Sequence, residues 1–261
     1  MAPVTRVLGV LQARVSSSRL PGKVLMPILG QPMLLRQIER LHRCRTIDQL
    51  VVATSADPAD DALGALCEQR DVACYRGSLS DVLDRFVNAA RPYHPDVVVR
   101  LTGDCPLADP GVIDEAIRFF DAGDYDYVCN FMPPTFPDGL DVEVMRFSAL
   151  EEAAEEARLP SHREHVTLFV RVHPERYRLG NLASPVDLSH LRWTVDEPPD
   201  FEFVRRVYEA LYQEKPDFAT QDVLALLDRD TSLRDINSKF TRGEGARKSL
   251  QADAEYLAKN R

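Results

Sequence analysis

Apolar residues in this chain fall into short dense runs separated by longer stretches of mixed character. Residues 6–13 (RVLGVLQA) are rich in Val and Leu with no polar alternation, the pattern of a strand buried on both faces. Residues 49–53, 72–75, 96–101 and 125–130 repeat it. The stretches between them have helical periodicity. Residues 33–41 place Leu34, Leu35, Ile38 and Leu41 on one side. Residues 57–69 carry Pro58 in a first turn, and residues 80–90 begin with Ser80 as an N-cap. A further helix starts at Asp109 with Pro110 at its first position. This alternation predicts an α/β fold, an open and largely parallel sheet covered on both faces.

The second half is less regular. Residues 133–139 form a proline-rich loop, 141–146 alternate like a strand, and 147–158 read as a helix. Residues 177–182 and 191–195 are strand candidates. Residues 201–212 make an amphipathic helix with Phe201, Val204, Tyr208 and Leu211 on one stripe, and 220–227 form another helix. From Gly243 onward the chain is charged and helical in propensity. No repeat or linker divides it. One domain over residues 1–242 with a helical tail at 243–261 is the simplest organisation.

Charge sharpens the picture through its placement. The net charge of −9 argues against nucleic acid as a partner. Yet no acidic residue precedes Glu39, while Arg6, Arg14, Arg19, Lys23 and Arg36 all do. That is either a solvated basic face or an anion site. The five cysteines are odd in number and lack a C-x-x-C spacing, which predicts buried reduced thiols and a cytoplasmic protein. The N-terminus does not read as a secretory signal. The uncharged run at 24–35 is too short for a membrane span and holds two prolines.

In open α/β sheets ligands bind beyond the carboxyl ends of the strands. The loop after Ala13, RVSSSRLPGK, offers Arg14, Arg19 and Lys23, the hydroxyls of Ser16, Ser17 and Ser18, and Gly22 for close backbone approach. Triphosphate recognition needs those parts. It is not a Walker A loop, because Lys23 is followed by Val24. After residue 101 comes Thr102-Gly103-Asp104-Cys105-Pro106, where Asp104 either holds a metal or caps a turn. Asp196 ends the run at 191–195, so the two aspartates could share a magnesium ion if the fold joins them. Glu197 and Asp200 suit the start of the helix that follows. Asp141 and Glu143 share a strand face, for a sugar's hydroxyls, a metal or solvent. Arg163, Glu164 and His165 contact substrate or form a capped surface helix. His162 and His165 lack the partners of a zinc site.

The loop ARVSSSRLPGK resembles the signature of the cytidylyltransferase family that includes CMP-KDO synthetase and the acylneuraminate cytidylyltransferases. The segments YRGSLSDVLDRF, VVRLTGDCPLADP, FPDGLDVEV, REHVT, RWTVDEPPDFEFV and INSKFTRGEG are similar to its spore coat polysaccharide biosynthesis protein F branch. The resemblance implies a three-layer α/β/α sandwich with a mixed, mainly parallel sheet, the Rossmann-like nucleotide-diphospho-sugar transferase fold. It implies a homodimer, with residues 130–185 as the dimer-forming excursion. It implies that Arg14, Arg19 and Lys23 bind the phosphates of CTP, that Ala13, Asp81 and Thr102 border the nucleotide, and that Asp104 and Asp196 hold Mg2+. It implies an anionic sugar as acceptor, for which Asp141, Glu143, Arg163 and His165 are the candidates read from the residues above. Cys105 departs from the KDO enzymes, which have an acidic residue there, and the serines of the loop depart from the sialic-acid enzymes. Both departures bear on the acceptor. The competing functions are transfer to a phosphonate or another anionic small molecule, a glycosyltransferase, and a non-catalytic nucleotide-binding protein. A glycosyltransferase would use a D-x-D motif, and none follows a strand where that motif would sit; Asp124-Tyr125-Asp126 has the letters but reads as a strand start.

Overall fold

The first apolar run becomes β1 (Val7–Gln12), which pairs with a parallel strand on each side. The computed structural model describes residues 5–17, 19–242, 253 and 255–258. After β1 come a two-residue hairpin, β2 (Pro27–Ile28) and β3 (Gln31–Pro32), and helix α1 (Met33–Leu41). Next are β4 (Gln49–Ser55), α2 (Asp61–Gln69), β5 (Cys74–Gly77), α3 (Val82–Ala90), β6 (Val97–Thr102) and α4 (Pro110–Ala122). The second half supplies β7 (Tyr127–Cys129), β8 (Glu143–Arg146), α5 (Phe147–Glu156), α6 (Pro160–Glu164), α7 (Leu168–Arg171) and β9 (Leu179–Asn181). It ends with α8 (Pro198–Leu211), α9 (Thr220–Arg229) and α10 (Ser232–Asp235).

Seven strands form one sheet in the order β5-β4-β1-β6-β8-β7-β9. Only β8 runs against its neighbours, so the sheet is mixed and mainly parallel. Strand side chains alternate between faces. Val7 and Leu11 of β1 pack with α1, α2, α4, α8 and α9, while Leu8 and Val10 pack with α3, α5 and α7. The result is the expected three-layer α/β/α sandwich. Residues 130–185 contribute β8, β9 and three helices to this same sheet and layer.

Several elements differ from the sequence pattern for local reasons. Asp81, not Ser80, caps α3, because its carboxylate accepts from the Asp84 backbone at 2.9 Å. Residues 191–195 do not form a strand of the sheet. Trp193 N and Thr194 N both donate to the Asp138 carbonyl, at 2.6 and 2.7 Å, and Val195 N donates to the Asp104 carbonyl at 2.8 Å. The segment therefore lies across the loop that follows β6. Gly139 permits this crossing. It has φ +115, and a Cβ there would stand 2.4 Å from Thr194 N, so no side chain fits. The cysteines are free as expected, but Cys74 is exposed. Most of the tail at 243–261 lies outside the described residues; Asp253 and 255–258 are helical, and the Asp253 carboxylate accepts from Ser161 N and Oγ. Among the described residues no helix is long and apolar enough to cross a membrane.

The start of α8 rests on a buried charge. Asp200 is fully buried and accepts from Arg192 Nε and Nη2 at 2.9 and 2.8 Å, from the backbones of Asp196 and Glu197, and from Asn237. Burial opposes its charge, yet these donors hold its carboxyl below the ordinary value. Because the folded value lies below the unfolded one, Asp200 adds stability at neutral pH that is lost as pH falls through the folded value. Asp200→Asn should therefore cost about 3 kcal/mol at pH 7, as for one lost partner of a buried pair. The Tm gap to wild type should close toward pH 3. A gap of constant size across that range would show that shape, not charge, is what Asp200 supplies.

Candidate active site

The loop after β1 is built by its own backbone and by one buried acid. Ser17 N and Gly22 N both donate to the Val15 carbonyl, at 2.8 and 2.9 Å. Ser17 Oγ accepts from Leu20 N at 3.3 Å. Gly22 takes φ 74 and opens a single 3-10 turn over Lys23–Leu25, a conformation that favours glycine. Fully buried Asp60 accepts from Val15 N at 2.6 Å and from the backbone and hydroxyl of Ser55 at the end of β4. Asp60 thus fastens the loop to the neighbouring strand. Its place in a helix-like stretch gave no sequence signal beyond the Asp57-Pro58 start.

The loop after β6 is packed as tightly. Gly103 N donates to the Gln12 carbonyl at 2.8 Å, and a Cβ on Gly103 would lie 2.9 Å from that of Ala13. Gln37 of α1 donates to the Thr102 carbonyl at 2.8 Å, and Tyr208 of α8 donates to the Pro106 carbonyl at 2.8 Å. Together with the Val195 crossing, these contacts bring three separate stretches to one point. There Lys23 Nζ lies 2.9 Å from Asp196 Oδ1, 3.7 Å from Asp104 Oδ2 and 2.6 Å from the Val195 carbonyl. Arg19 Nη2 takes the other oxygen of Asp196 at 2.7 Å. Burial opposes the charge on Lys23, but Asp104 and Asp196 outweigh it and raise its pKa. Asp104 is likewise opposed by burial and held below the ordinary value by Lys23 and by Thr102.

The two aspartates expected to hold a metal thus face one cationic nitrogen. Their hard anionic oxygens suit magnesium. Among the described residues no cluster of three or more His, Cys, Asp or Glu side chains stands ready for a metal. Two carboxylates, with the remaining positions left to phosphate oxygens and water, is the ordinary arrangement for nucleotide-bound magnesium, so the residues present fit that ion.

A cleft of about 300 Å³ opens here. Ala13, Arg14, Ser17, Arg19, Lys23, Thr102, Asp104, His165 and Asp196 all line it, so most of the residues singled out from the sequence meet. Beside it is a polar recess of about 150 Å³ with Asp138, Asp141 and Arg192 in its wall. Arg242 closes on Asp141 at 2.8 Å and Asp138 at 3.5 Å. Burial pushes the Asp141 carboxyl up to about 7 against the pull of Arg242, and Asp138, Glu143 and Asp104 add to the rise. His165 reaches the cleft because Val166, at φ 53, turns the chain, an outlying conformation for a β-branched residue. Burial pushes its imidazole pKa down.

Other expected residues are placed differently. Asp81 and Arg163 bind each other, with Arg163 Nε 2.8 Å from the carboxylate, and neither lines the cleft. Glu143 is buried, and both its oxygens are occupied, by Tyr127, Thr167 and Arg100. Arg100, which drew no notice in the sequence, stands in the cleft wall in its place. The D-x-D letters at Asp124 and Asp126 are bound by Arg146 and Arg178, away from the cleft.

Comparisons with known proteins fit this geometry. Residues 8–223 match the family described as Cytidylyltransferase. The chain is 36% identical over 236 residues to the spore coat polysaccharide biosynthesis protein SpsF of Bacillus subtilis, covering 86% of this chain and 95% of that one. It is 38% identical over 122 residues to the 3-deoxy-manno-octulosonate cytidylyltransferase of an Anaeromyxobacter species, covering 45% of this chain and 48% of that one. The solved structure of a cytidylyltransferase from Leptospira borgpetersenii superposes with a TM-score of 0.84 at 29% identity, over 92% of this chain and 100% of that one. A match that runs from β1 into α9, and so takes in both walls of the cleft, makes this chain a member of the cytidylyltransferase family and a CTP-dependent nucleotidyltransferase.

Proposed function

We propose that the enzyme transfers CMP from CTP to an acidic sugar of the nonulosonate or 3-deoxy-octulosonate kind, with release of pyrophosphate, in the making of a surface polysaccharide. The observation that carries the reading is the convergence of Arg19 and Lys23 with Asp104 and Asp196 at the carboxyl ends of β1 and β6. The names of the relatives support the acceptor class.

Two of the loop cations, Arg19 and Lys23, are each held by an acid. Binding CTP therefore means an exchange of partners. Arg19 and Lys23 turn from Asp196 and Asp104 to phosphate oxygens, joined by Arg14, which is already exposed at the cleft. The carboxylates released by the exchange are those that would hold magnesium. When bound, that ion would supply positive charge at the phosphates and acidify an acceptor hydroxyl. Gly103, which has no Cβ to meet Ala13, lets the two strand-end loops pack closely, and Ala13 lies against the nucleotide. An acceptor oxygen then attacks the α-phosphorus in line, its bond to the bridging oxygen breaks, and pyrophosphate departs. Such transfer is mostly positioning and charge neutralisation. Arg14, Arg19 and Lys23 offset the charge that collects on the leaving group. In this reading the enzyme works in the cytoplasm as a homodimer whose interface draws on residues 130–185, which sedimentation of the purified chain checks.

Lys23→Ala and Asp104→Ala should each lower kcat by about 10²- to 10³-fold, the usual loss for one transition-state partner, with the circular-dichroism spectrum unchanged. Near-normal turnover in either variant ends the assignment. Pyrophosphate release, measured with CTP, UTP, ATP and GTP against eight- and nine-carbon acidic sugars, should require CTP, one such acid and a divalent metal. Release with a phosphonate instead would move the acceptor class and keep the nucleotidyl transfer.

A further inference from the structure

Arg100 lies two residues back along β6 from Thr102, about 6.6 Å deeper at the rise of a strand. It faces the cleft from the β8 side, across from the cationic loop that follows β1. Its hydrogen bonding is lopsided. Both oxygens of Glu143 are engaged: Oε1 accepts from Tyr127 Oη at 2.6 Å and Thr167 Oγ1 at 2.5 Å, and Oε2 accepts from Arg100 Nη1. The guanidinium is engaged less completely. Nη2 has only a long 3.3 Å contact to Gln12 Oε1, and buried Nε has no partner. A guanidinium carries five N–H donors, and here Glu143 and Gln12 engage two of them.

Charges of both signs surround the pair. Arg171 also acts on Glu143, and Arg100 and Arg171 both act on His165. Asp104 in turn acts on Arg100, and Glu164 on His165. A buried ion pair is costly to desolvate unless further hydrogen bonds complete it, and the missing ones here point to a ligand. The side chain of Arg100 is 16% exposed, and that exposed part belongs to the cleft.

Given the acceptor class proposed above, we infer that Arg100, held in place by Glu143 and Gln12, is the anchor for the acceptor's carboxylate and the residue that makes the enzyme select an acid. The loop cations occupy the opposite wall, where the triphosphate goes. Asp104 and Asp196 stand at the reacting phosphate and repel an acceptor's charge. An acidic acceptor therefore needs its cation on the β8 side, and Arg100 is the cation placed there. Glu143, which the sequence pointed to as a substrate ligand, acts through Arg100 as a positioning residue.

The test is calorimetric titration of the full chain, loaded with magnesium and α,β-methylene CTP so that no turnover occurs. The probes are 3-deoxy-manno-octulosonate and N-acetylneuraminate, each beside its neutral carboxamide. Wild type should bind one acid about tenfold or more tightly than its amide, the range for a hydrogen bond to a charged group. Arg100→Gln should bring that ratio near one while the CTP analogue binds as before. Gln12→Glu, which keeps Arg100 but gives it a competing carboxylate, should do the same and carries the test alone if Arg100→Gln fails to fold. A wild-type ratio kept by the variants overturns the anchor and leaves a structural ion pair. An equal loss of affinity for the CTP analogue overturns it in favour of a phosphate ligand. Wild type blind to both acids removes the acceptor class and the anchor with it, an outcome distinct from an acid preference that survives in Arg100→Gln.

Discussion

The ammonium of Lys23 sits between two carboxylates from distant parts of the chain, 2.9 Å from Asp196 and 3.7 Å from Asp104. Two acids brought this close in a half-buried cleft repel each other, and repulsion between like charges grows as water is excluded. A cation between them makes the arrangement stable without a ligand. The same cation is then at hand for a phosphate. The fold devotes much of its detail to this point: Asp60 tethers the loop that bears Lys23, Gln37 and Tyr208 hold the loop that bears Asp104, and Asp200 with Arg192 fixes the turn that bears Asp196.

Around that centre the charges are arranged in opposed layers. The recess beyond Asp104 is acidic, and burial raises both Asp138 and Asp141, the latter to about 7, against the pull of Arg242. The wall toward β8 carries the Arg100–Glu143 ion pair, with Glu143 kept ionised by Arg100, Thr167 and Tyr127 although burial opposes it. A ligand that crosses the cleft meets cations at the β1 loop, acids in the middle and a cation again at Arg100. That sequence of signs suits a triphosphate at one end and an acid at the other, with the reacting atoms between.

Much of the framework was legible in the chain before any contact was known. The Val- and Leu-rich runs marked β1, β4 and β6, because a strand buried on both faces has no polar side to show. The spacing at 33–41 marked α1, whose bounds coincide with those expected. Arg14, Arg19 and Lys23 stood out because an acidic protein had no acid among its first residues. Asp104 stood out because an aspartate beside a glycine at a strand end is placed for a ligand.

The partnerships were settled only by the tertiary structure. Periodicity reports which face of an element is buried, and it is silent about what a polar side chain on that face meets. Residues 191–195 have the apolar look of a strand, yet they spend their donors on Asp138 and Asp104 and cross the strand ends. Glu143 has the spacing of an exposed ligand, and burial turned it inward to hold Arg100. Arg163 and Asp81, separated by 82 positions, neutralise each other. The sequence by itself determined where the strands and the cationic loop lie, since those follow from local hydrophobicity and charge. Which acid faces which base depends on long-range packing, because an electrostatic partner is chosen by distance in space, and only the fold sets that distance.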